Sequence, residues 1–149
     1  MSIMEDVRAL CLTAREAVPS IAHTTNEERN RALAAMADAL KTHTTAILEA
    51  NDRDLSAAEE NGVPRVMLDR LRLTEARIVG IAAAIEALIA LPDPLTKHES
   101  WQRPSGLNIR RQAVPLGVVA IIYEARPNVT ADAAALCIKS GNAVVLRGG

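Results

Sequence analysis

Residues 115–149 carry the feature that most constrains the fold of this chain. Two runs of mostly branched apolar residues, at 118–122 and 143–146, enclose a segment of helical composition that ends near Gly141. A strand that returns to a parallel neighbour needs a crossover of about this length, usually a helix. The sequence therefore predicts a parallel strand–helix–strand unit, whose ligands bind beyond the carboxyl ends of its strands.

The composition is that of an ordinary soluble globular chain of 149 residues, 49% hydrophobic, with a formal charge of −1. Trp101 and Tyr123 are its only large aromatic residues. Such a chain lacks the stacking platforms that bind single-stranded nucleic acid, and no dense block of like charge suggests DNA or an acidic membrane. We therefore expect neither a nucleic-acid nor a membrane partner.

Charge is unevenly distributed along the sequence. Residues 1–96 hold ten Lys or Arg and fifteen Asp or Glu, a net −5, whereas residues 97–149 hold seven and three, a net +4. A basic second half suits an anionic ligand, and ordinary surface decoration explains it equally well.

Cys11 and Cys137 are too few for a disulfide framework, and no His or Cys spacing indicates a metal site. The charged N-terminus lacks the apolar run of a signal peptide. The longest apolar stretch, 78–91, is shorter than a membrane span and contains Glu86. These features favour a cytoplasmic protein.

Helical periodicity and capping signals fill the first ninety residues, which we predict to form a helical layer (1–91) without catalytic residues. Thr25 and Glu28 form a capping-box pattern, Asn61–Gly62 is a stop signal, and Thr74 is an N-cap. The predicted helices cover 3–18 (ended by Pro19), 26–50 with a break near 42–45, 51–60, 64–71 and 75–91.

A linker is predicted over 92–106, because this segment is rich in proline and charge. The imperfect alternation of 107–114 predicts an extended strand that brings the chain into the sheet. The run 118–122 lacks alternation, which is typical of a strand covered on both faces. The predicted organisation is therefore α/β, with the sheet occupying 107–149.

The turn after the first parallel strand, residues 123–128, holds two candidate binding residues. Arg126 suits bidentate binding of a carboxylate or phosphate, and pairs with Glu124 in the alternative interpretation. Asn128 suits donation of an N–H to an oxyanion, and caps the following helix in the alternative.

Arg147 and Gly148 end the second parallel strand, and we expect Arg147 to face the same crevice. A cation there suits a nucleotide ribose or 2′-phosphate, and is otherwise a surface charge. Gly148 with Gly149 permits close approach of a ligand or simply makes a turn. Cys137 is interpreted as core packing. No GxGxxG or Walker-type motif occurs, so the residues alone name no reaction.

The runs YEARPNVT and KSGNAVVLRGG resemble the γ-glutamyl phosphate reductase (glutamate-5-semialdehyde dehydrogenase) family of the aldehyde dehydrogenase superfamily. The RRQAVPLGVV, NxxDL and DRLxLT runs are similar as well, so the resemblance covers nearly the whole chain. It implies a Rossmann-type domain of which this chain is a truncated beginning. It also implies NADPH-dependent reduction of L-glutamyl 5-phosphate in proline biosynthesis, through a cysteine thioester.

The resemblance implies that Arg147 lies near the cofactor ribose and that Asn128 is the candidate oxyanion donor. It further implies a homo-oligomer and an association with glutamate 5-kinase. Neither cysteine matches the family nucleophile, which is expected beyond Gly149, so we expect the 149 residues alone to be inactive. The rival interpretations are a non-catalytic nucleotide-binding or subunit-association module and a CoA-acylating aldehyde dehydrogenase.

Overall fold

A computed structural model describes residues 2–124 and 126–148. It confirms a helical layer followed by a parallel strand–helix–strand unit. The first part contains five helices: α1 (Ile3–Ala22), α2 (Asn26–Thr42), α3 (Thr44–Glu60), α4 (Arg65–Leu71) and α5 (Glu75–Ala90). The second contains a 3-10 turn at Pro94–Thr96, then β1 (His98–Gln102), β2 (Asn108–Gln112), β3 (Val118–Ile122), α6 (Pro127–Lys139) and β4 (Ala143–Arg147).

Most helix boundaries fall where capping chemistry predicts them. The Thr25 hydroxyl accepts from the Glu28 N–H, and the Glu28 carboxylate accepts from the Thr25 N–H at 2.7 Å, which completes the capping box. Thr74 caps α5 by accepting from the Arg77 N–H. Gly62 and Gly141 end α3 and α6, each with φ +71°, a conformation that glycine adopts without strain.

Pro19 does not end the first helix, so that prediction is wrong. Helix α1 continues through Pro19 to Ala22, and the helix contacts β4 and β3. Proline removes one backbone donor from a helix. Here α1 contacts both parallel strands, and Ile21 and Ala22 beyond the proline are half-buried, so tertiary packing offsets the lost hydrogen bond.

The core lies where α2, α5 and α6 meet. Leu33 and Ile85 fill it, and alanines at the crossings allow the helices to approach closely. These alanines, each 0% exposed, are Ala37, Ala82 and Ala135. Small crossing residues thus replace the aromatic residues that the sequence lacks.

A buried lysine ties these three helices together. Lys139 is 4% exposed, and its ammonium donates to Asn30 Oδ1 at 2.8 Å, to Asn26 Oδ1 at 3.1 Å and to the Ile89 carbonyl at 3.4 Å. Burial lowers the pKa of Lys139. These contacts give Lys139 a structural role.

The predicted linker and the strand after it form a separate antiparallel hairpin. Strand β1 lies inside the 92–106 segment and pairs with β2 in a register that sets Trp101 opposite Ile109. Gly106, with φ +85°, turns the chain between them. The expectation that 107–114 joins the parallel sheet is therefore wrong, because its polar, exposed residues suit a solvated ribbon rather than a buried strand.

Strands β3 and β4 pair in parallel, with Val118 opposite Ala143 and Ile122 opposite Arg147. The predicted burial of β3 on both faces is not observed in the described residues. Val119 and Ile121 are half-buried on the face that packs against the helices, whereas Ile122 is 84% exposed on the other.

Helix α5 and the turn after it, Glu75–Thr96, are long and apolar enough to cross a membrane by length and composition alone. In the fold, α5 packs against α2 and α6 and buries Ile78, Ala82 and Ile85. Core helices of globular proteins have this same composition.

Candidate functional site

The carboxyl ends of the parallel strands lie side by side, as the sequence predicts. The Tyr123 N–H, just after β3, donates to the Arg147 carbonyl at the end of β4, at 3.1 Å. Helix α6 begins four residues later at Pro127, whose fixed φ suits a first helical position. The turn from β3 into α6 therefore stands at the ligand-binding edge of the sheet.

A cleft of about 660 Å³ opens between this turn and the α4–α5 corner. Its charged lining residues are Asp69, Arg70, Arg72, Arg77, Arg126 and Asp132. Its uncharged lining comes from both sides and consists of Leu73, Gly80, Ile81, Ala84, Pro127 and Asn128. Four guanidinium groups against two carboxylates give the lining a positive surplus, which favours an anionic ligand.

The buried Asn51 of α3 fixes the α4–α5 corner. Its Nδ2 donates to the Leu71 carbonyl at 2.9 Å, and its Oδ1 accepts from the Leu73 N–H at 2.7 Å. Arg77 adds a second tie, donating to the Asp69 carbonyl at 2.7 Å. Hydrogen bonds to a buried side chain hold a short turn in one geometry, so the corner presents its arginines on a rigid support.

Glu124 is shared between the two walls of the cleft. Its Oε2 lies 3.4 Å from Arg70 Nη1 of α4, and its Oε1 lies 3.5 Å from Arg126 Nη2. The pairing of Arg126 with Glu124 is thus present, as the alternative interpretation of Arg126 expects. Both contacts are long and half exposed, so each guanidinium keeps further N–H donors for a ligand.

Asn128 lies in the first turn of α6 and does not cap it. Arg126 occupies the N-cap position, and no side chain provides a capping hydrogen bond. The alternative interpretation of Asn128 as the helix cap is therefore wrong, because the helix starts earlier at Pro127. Asn128 Nδ2 instead donates to Asp132 Oδ2 at 3.3 Å, one turn along the helix.

An apolar groove of about 580 Å³ adjoins the cleft, and both are lined by Arg126, Pro127, Leu73 and Ile81. Tyr123 and Gly148 line this groove, and the Tyr123 hydroxyl is 2.6 Å from Thr130 Oγ1. A Cβ at Gly148 would make ordinary contact with the Tyr123 ring at 3.5 Å. Glycine is thus not sterically required there, and Gly149 lies outside the described residues.

Of the candidate residues, Arg126 and Asn128 line the same cleft. Arg147 is exposed at the end of β4 and lines neither the cleft nor the groove. In residues 2–124 and 126–148, no three His, Cys, Asp or Glu side chains are placed to hold a metal ion.

Neither of the two cysteines lines the cleft or the groove. Cys137 is 6% exposed within α6, and burial raises the pKa of its thiol, which disfavours the thiolate. Cys11 is exposed on α1 and lines neither the cleft nor the groove. Neither therefore meets a substrate held at the strand ends.

The α4–α5 contribution to the cleft is absent from the sequence-based expectations, which place no functional residue in the first ninety. The available signal was the clustering of Arg70, Arg72 and Arg77 around a tight, capped corner. Three arginines within eight positions on a rigid turn indicate an anion-binding surface. The opposite side of the cleft, however, is revealed only by the fold.

Residues 2–148 match the sequence model of the aldehyde dehydrogenase family. A gamma-glutamyl phosphate reductase of Caulobacter vibrioides is 56% identical over 138 residues, which cover 92% of this chain and 33% of that protein. Another of the same name, from Moorella thermoacetica, is 53% identical over 150 residues, covering 100% and 36%. The chain therefore spans about a third of the length of the curated relatives it matches.

Two solved structures are similar in fold. The crystal structure of gamma-glutamyl phosphate reductase from Thermotoga maritima superposes with a TM-score of 0.87 at 43% identity, covering 91% of this chain and 33% of that chain. That of the Saccharomyces cerevisiae protein of the same name gives 0.86 at 38% identity, covering 91% and 35%.

Proposed function

The chain belongs to the aldehyde dehydrogenase family, and from this we propose that it forms the substrate- and cofactor-facing part of a γ-glutamyl phosphate reductase. The proposed reaction reduces L-glutamyl 5-phosphate to L-glutamate 5-semialdehyde, with NADPH, in proline biosynthesis. The name shared by the relatives from C. vibrioides and M. thermoacetica supports the substrate. The observation that carries the proposal is the positively charged cleft at the strand ends, which suits an anionic substrate.

In this reaction a thiolate attacks the acyl carbon, phosphate departs with the bonding electrons, and the resulting thioester is reduced. Cys11 and Cys137 do not fit the nucleophile, since one lies outside the cleft and the other is buried with a raised pKa. We assign this chain the tasks of binding and orienting. Arg126 binds the substrate, and Asn128, in the first turn of α6, donates to the developing oxyanion.

NADPH supplies the hydride when it is bound, and the parallel strands β3 and β4 suit a dinucleotide-binding sheet. Arg147 ends β4, exposed, where a guanidinium suits a 2′-phosphate, and Gly148 follows it. We assign both to the cofactor. Titrating the chain with NADPH and NADH tests this: Arg147→Ala should abolish NADPH binding, whereas Arg15→Ala on exposed α1 should not. Equal NADPH binding by wild type and Arg147→Ala would remove the assignment.

Self-association, an association with glutamate 5-kinase and a cytoplasmic location complete the proposal. The exposed β1–β2 hairpin, on which Trp101 is 46% exposed, supports self-association.

Complementation tests the function in cells. A chimera joins residues 1–149 to the remaining two thirds of the C. vibrioides relative and is expressed in a proline-requiring bacterium that lacks its reductase. We expect growth without proline, as with the intact relative. A soluble chimera that supports no growth would contradict the proposed function.

A further inference from the structure

We propose that the cleft between α4–α5 and the start of α6 binds the α-amino-acid end of the substrate, with Arg70 and Arg126 holding the α-carboxylate and Asp132 the α-ammonium. This inference deepens the proposed function and rests on it. The ligand class is an L-α-amino acid whose side chain carries the reacting acyl group. Arg70 belongs to the α4–α5 wall, whereas Arg126 and Asp132 belong to the α6 wall, so ligand recognition depends on the fold that brings the two walls together.

The carboxylate half of the site consists of two guanidinium groups that converge on one acid. Arg70 and Arg126 reach the same Glu124 side chain, over distances of 3.4 and 3.5 Å. One carboxylate at these distances does not neutralise two guanidinium groups and engages only one nitrogen of each. A ligand carboxylate can therefore join both arginines, in the bidentate geometry that guanidinium groups favour.

The ammonium half of the site is Asp132. Its carboxylate lines the cleft and accepts one side-chain hydrogen bond, from Asn128 at 3.3 Å. Asp69, the other acidic lining residue, is instead engaged by Arg77, whose Nη2 lies 3.7 Å from its carboxylate. Asp132 is thus the carboxylate with acceptor capacity left for an ammonium group, because an ionised carboxylate offers about four lone-pair sites.

The cleft also has an apolar wall. Ile81 and Ala84 of α5 provide an apolar wall beside the charged residues, which suits the methylene carbons of a glutamyl side chain. Asn128 lies at the α6 end, beside the strand termini where the acyl group would react. An L-α-amino acid with an acyl side chain therefore has charged, apolar and hydrogen-bonding partners in the same cleft.

Ligands that differ in one charge test the assignment. The 149-residue chain is titrated with L-glutamate, with glutarate, which lacks the ammonium, and with inorganic phosphate, by nuclear magnetic resonance. Asp132→Asn should weaken L-glutamate binding about tenfold, which corresponds to about 1.4 kcal/mol, and change glutarate binding by less than about twofold. Arg70→Gln should weaken the binding of both L-glutamate and glutarate. Asp132→Glu, which keeps a carboxylate, should bind L-glutamate more tightly than Asp132→Asn does.

Two exposed control variants outside the cleft, Asp52→Asn and Arg15→Gln, should leave both affinities unchanged. Several outcomes would overturn the proposal: no saturable binding of L-glutamate, equal effects of Asp132→Asn on both dicarboxylates, or binding of phosphate alone. Circular dichroism shows whether Asp132→Asn is folded. If this variant is unfolded, the Arg70→Gln and Asp132→Glu titrations decide.

This binding needs neither NADPH nor turnover, so the two proposals fail separately. If the chimera is inactive but the chain still distinguishes L-glutamate from glutarate, the proposed reductase function is contradicted and the amino-acid site is retained. If the chimera is active and Asp132→Asn leaves its KM for the semialdehyde unchanged, the amino-acid site is contradicted and the reductase function is retained.

Discussion

Arg70 Nη1 lies 3.4 Å from Glu124 Oε2, which joins helix α4 to the turn after β3 although the two residues are 54 positions apart in sequence. This contact crosses the candidate cleft and places an arginine from the helical layer beside Arg126. The helical layer and the parallel sheet thus form one binding surface.

Replacing Glu124 should affect anion binding more than the stability of the fold. Glu124→Gln should alter the free energy of unfolding by less than about 1 kcal/mol, because exposed ion pairs contribute little. It should strengthen phosphate binding at low salt, since both guanidiniums lose their partner. Urea denaturation and phosphate titration measure the two effects. Glu99→Gln, which breaks the Arg111–Glu99 pair of the hairpin, should leave phosphate binding unchanged.

The alanine crossings of the core should resist enlargement. Ala82→Leu should lower the free energy of unfolding by about 1–3 kcal/mol, because Ala82 is fully buried between α5 and its neighbours. The adjacent Ala83 is exposed, so Ala83→Leu should change stability by less than about 0.5 kcal/mol. Chemical denaturation of both variants tests this, and equal losses would contradict the packing described.

Gly62 and Gly141 have the same φ, but only Gly141 has neighbouring atoms close to where a Cβ would lie. Gly62→Ala should cost about 1–2 kcal/mol, since its φ of +71° is unfavourable for a residue with a Cβ. At Gly141 a Cβ would also lie 3.1 Å from Leu95 Cδ1 and from Pro115 Cγ. Gly141→Ala should therefore be the more destabilising variant by thermal denaturation, and the opposite order would contradict the contact.

The capping box should be sensitive to acid. Hydrogen bonds from the backbone and side chain of Thr25 lower the pKa of Glu28 below its usual 4.5. A carboxyl with a depressed folded-state pKa contributes stability above its unfolded pKa and loses it as the pH falls through the folded value. Glu28→Gln should therefore be less stable than wild type at pH 7, and the difference should shrink below about pH 4.5.

The control for this prediction is the neighbouring Glu27, which forms an exposed pair with Arg31 at 3.3 Å. The midpoint of urea unfolding is measured from pH 7 to pH 3 for wild type, Glu28→Gln and the control variant Glu27→Gln. A difference between Glu28→Gln and wild type that is independent of pH would show that the capping carboxylate is not responsible.

Local signals predicted most of the fold. Capping residues such as Thr25 and Thr74, and the stop at Gly141, act within a few positions, so the sequence reveals them directly. Pro19 was misinterpreted because α1 packs against strands more than ninety residues away, and the local sequence does not reveal such contacts. The pairing of β2 with β1 rather than β3 likewise depends on which partners the remaining fold offers.

The candidate site was predicted only in part, for the same physical reason. Arg126 and Asn128 follow a recognisable strand, so their place at its carboxyl end was foreseeable. Arg70 reaches the cleft because Asn51 fixes the α4–α5 corner, a contact between distant segments. Periodicity and capping carry no information about such contacts.

The most direct test of the account is the purified chimera of residues 1–149 with the remaining two thirds of the C. vibrioides relative. It is assayed for NADPH formation from NADP, L-glutamate 5-semialdehyde and phosphate. We predict phosphate-dependent turnover with kcat/KM within about tenfold of the intact relative, a difference of about 1.4 kcal/mol in transition-state stabilisation. A folded, soluble chimera that forms no NADPH under conditions where the intact relative is active would contradict the account.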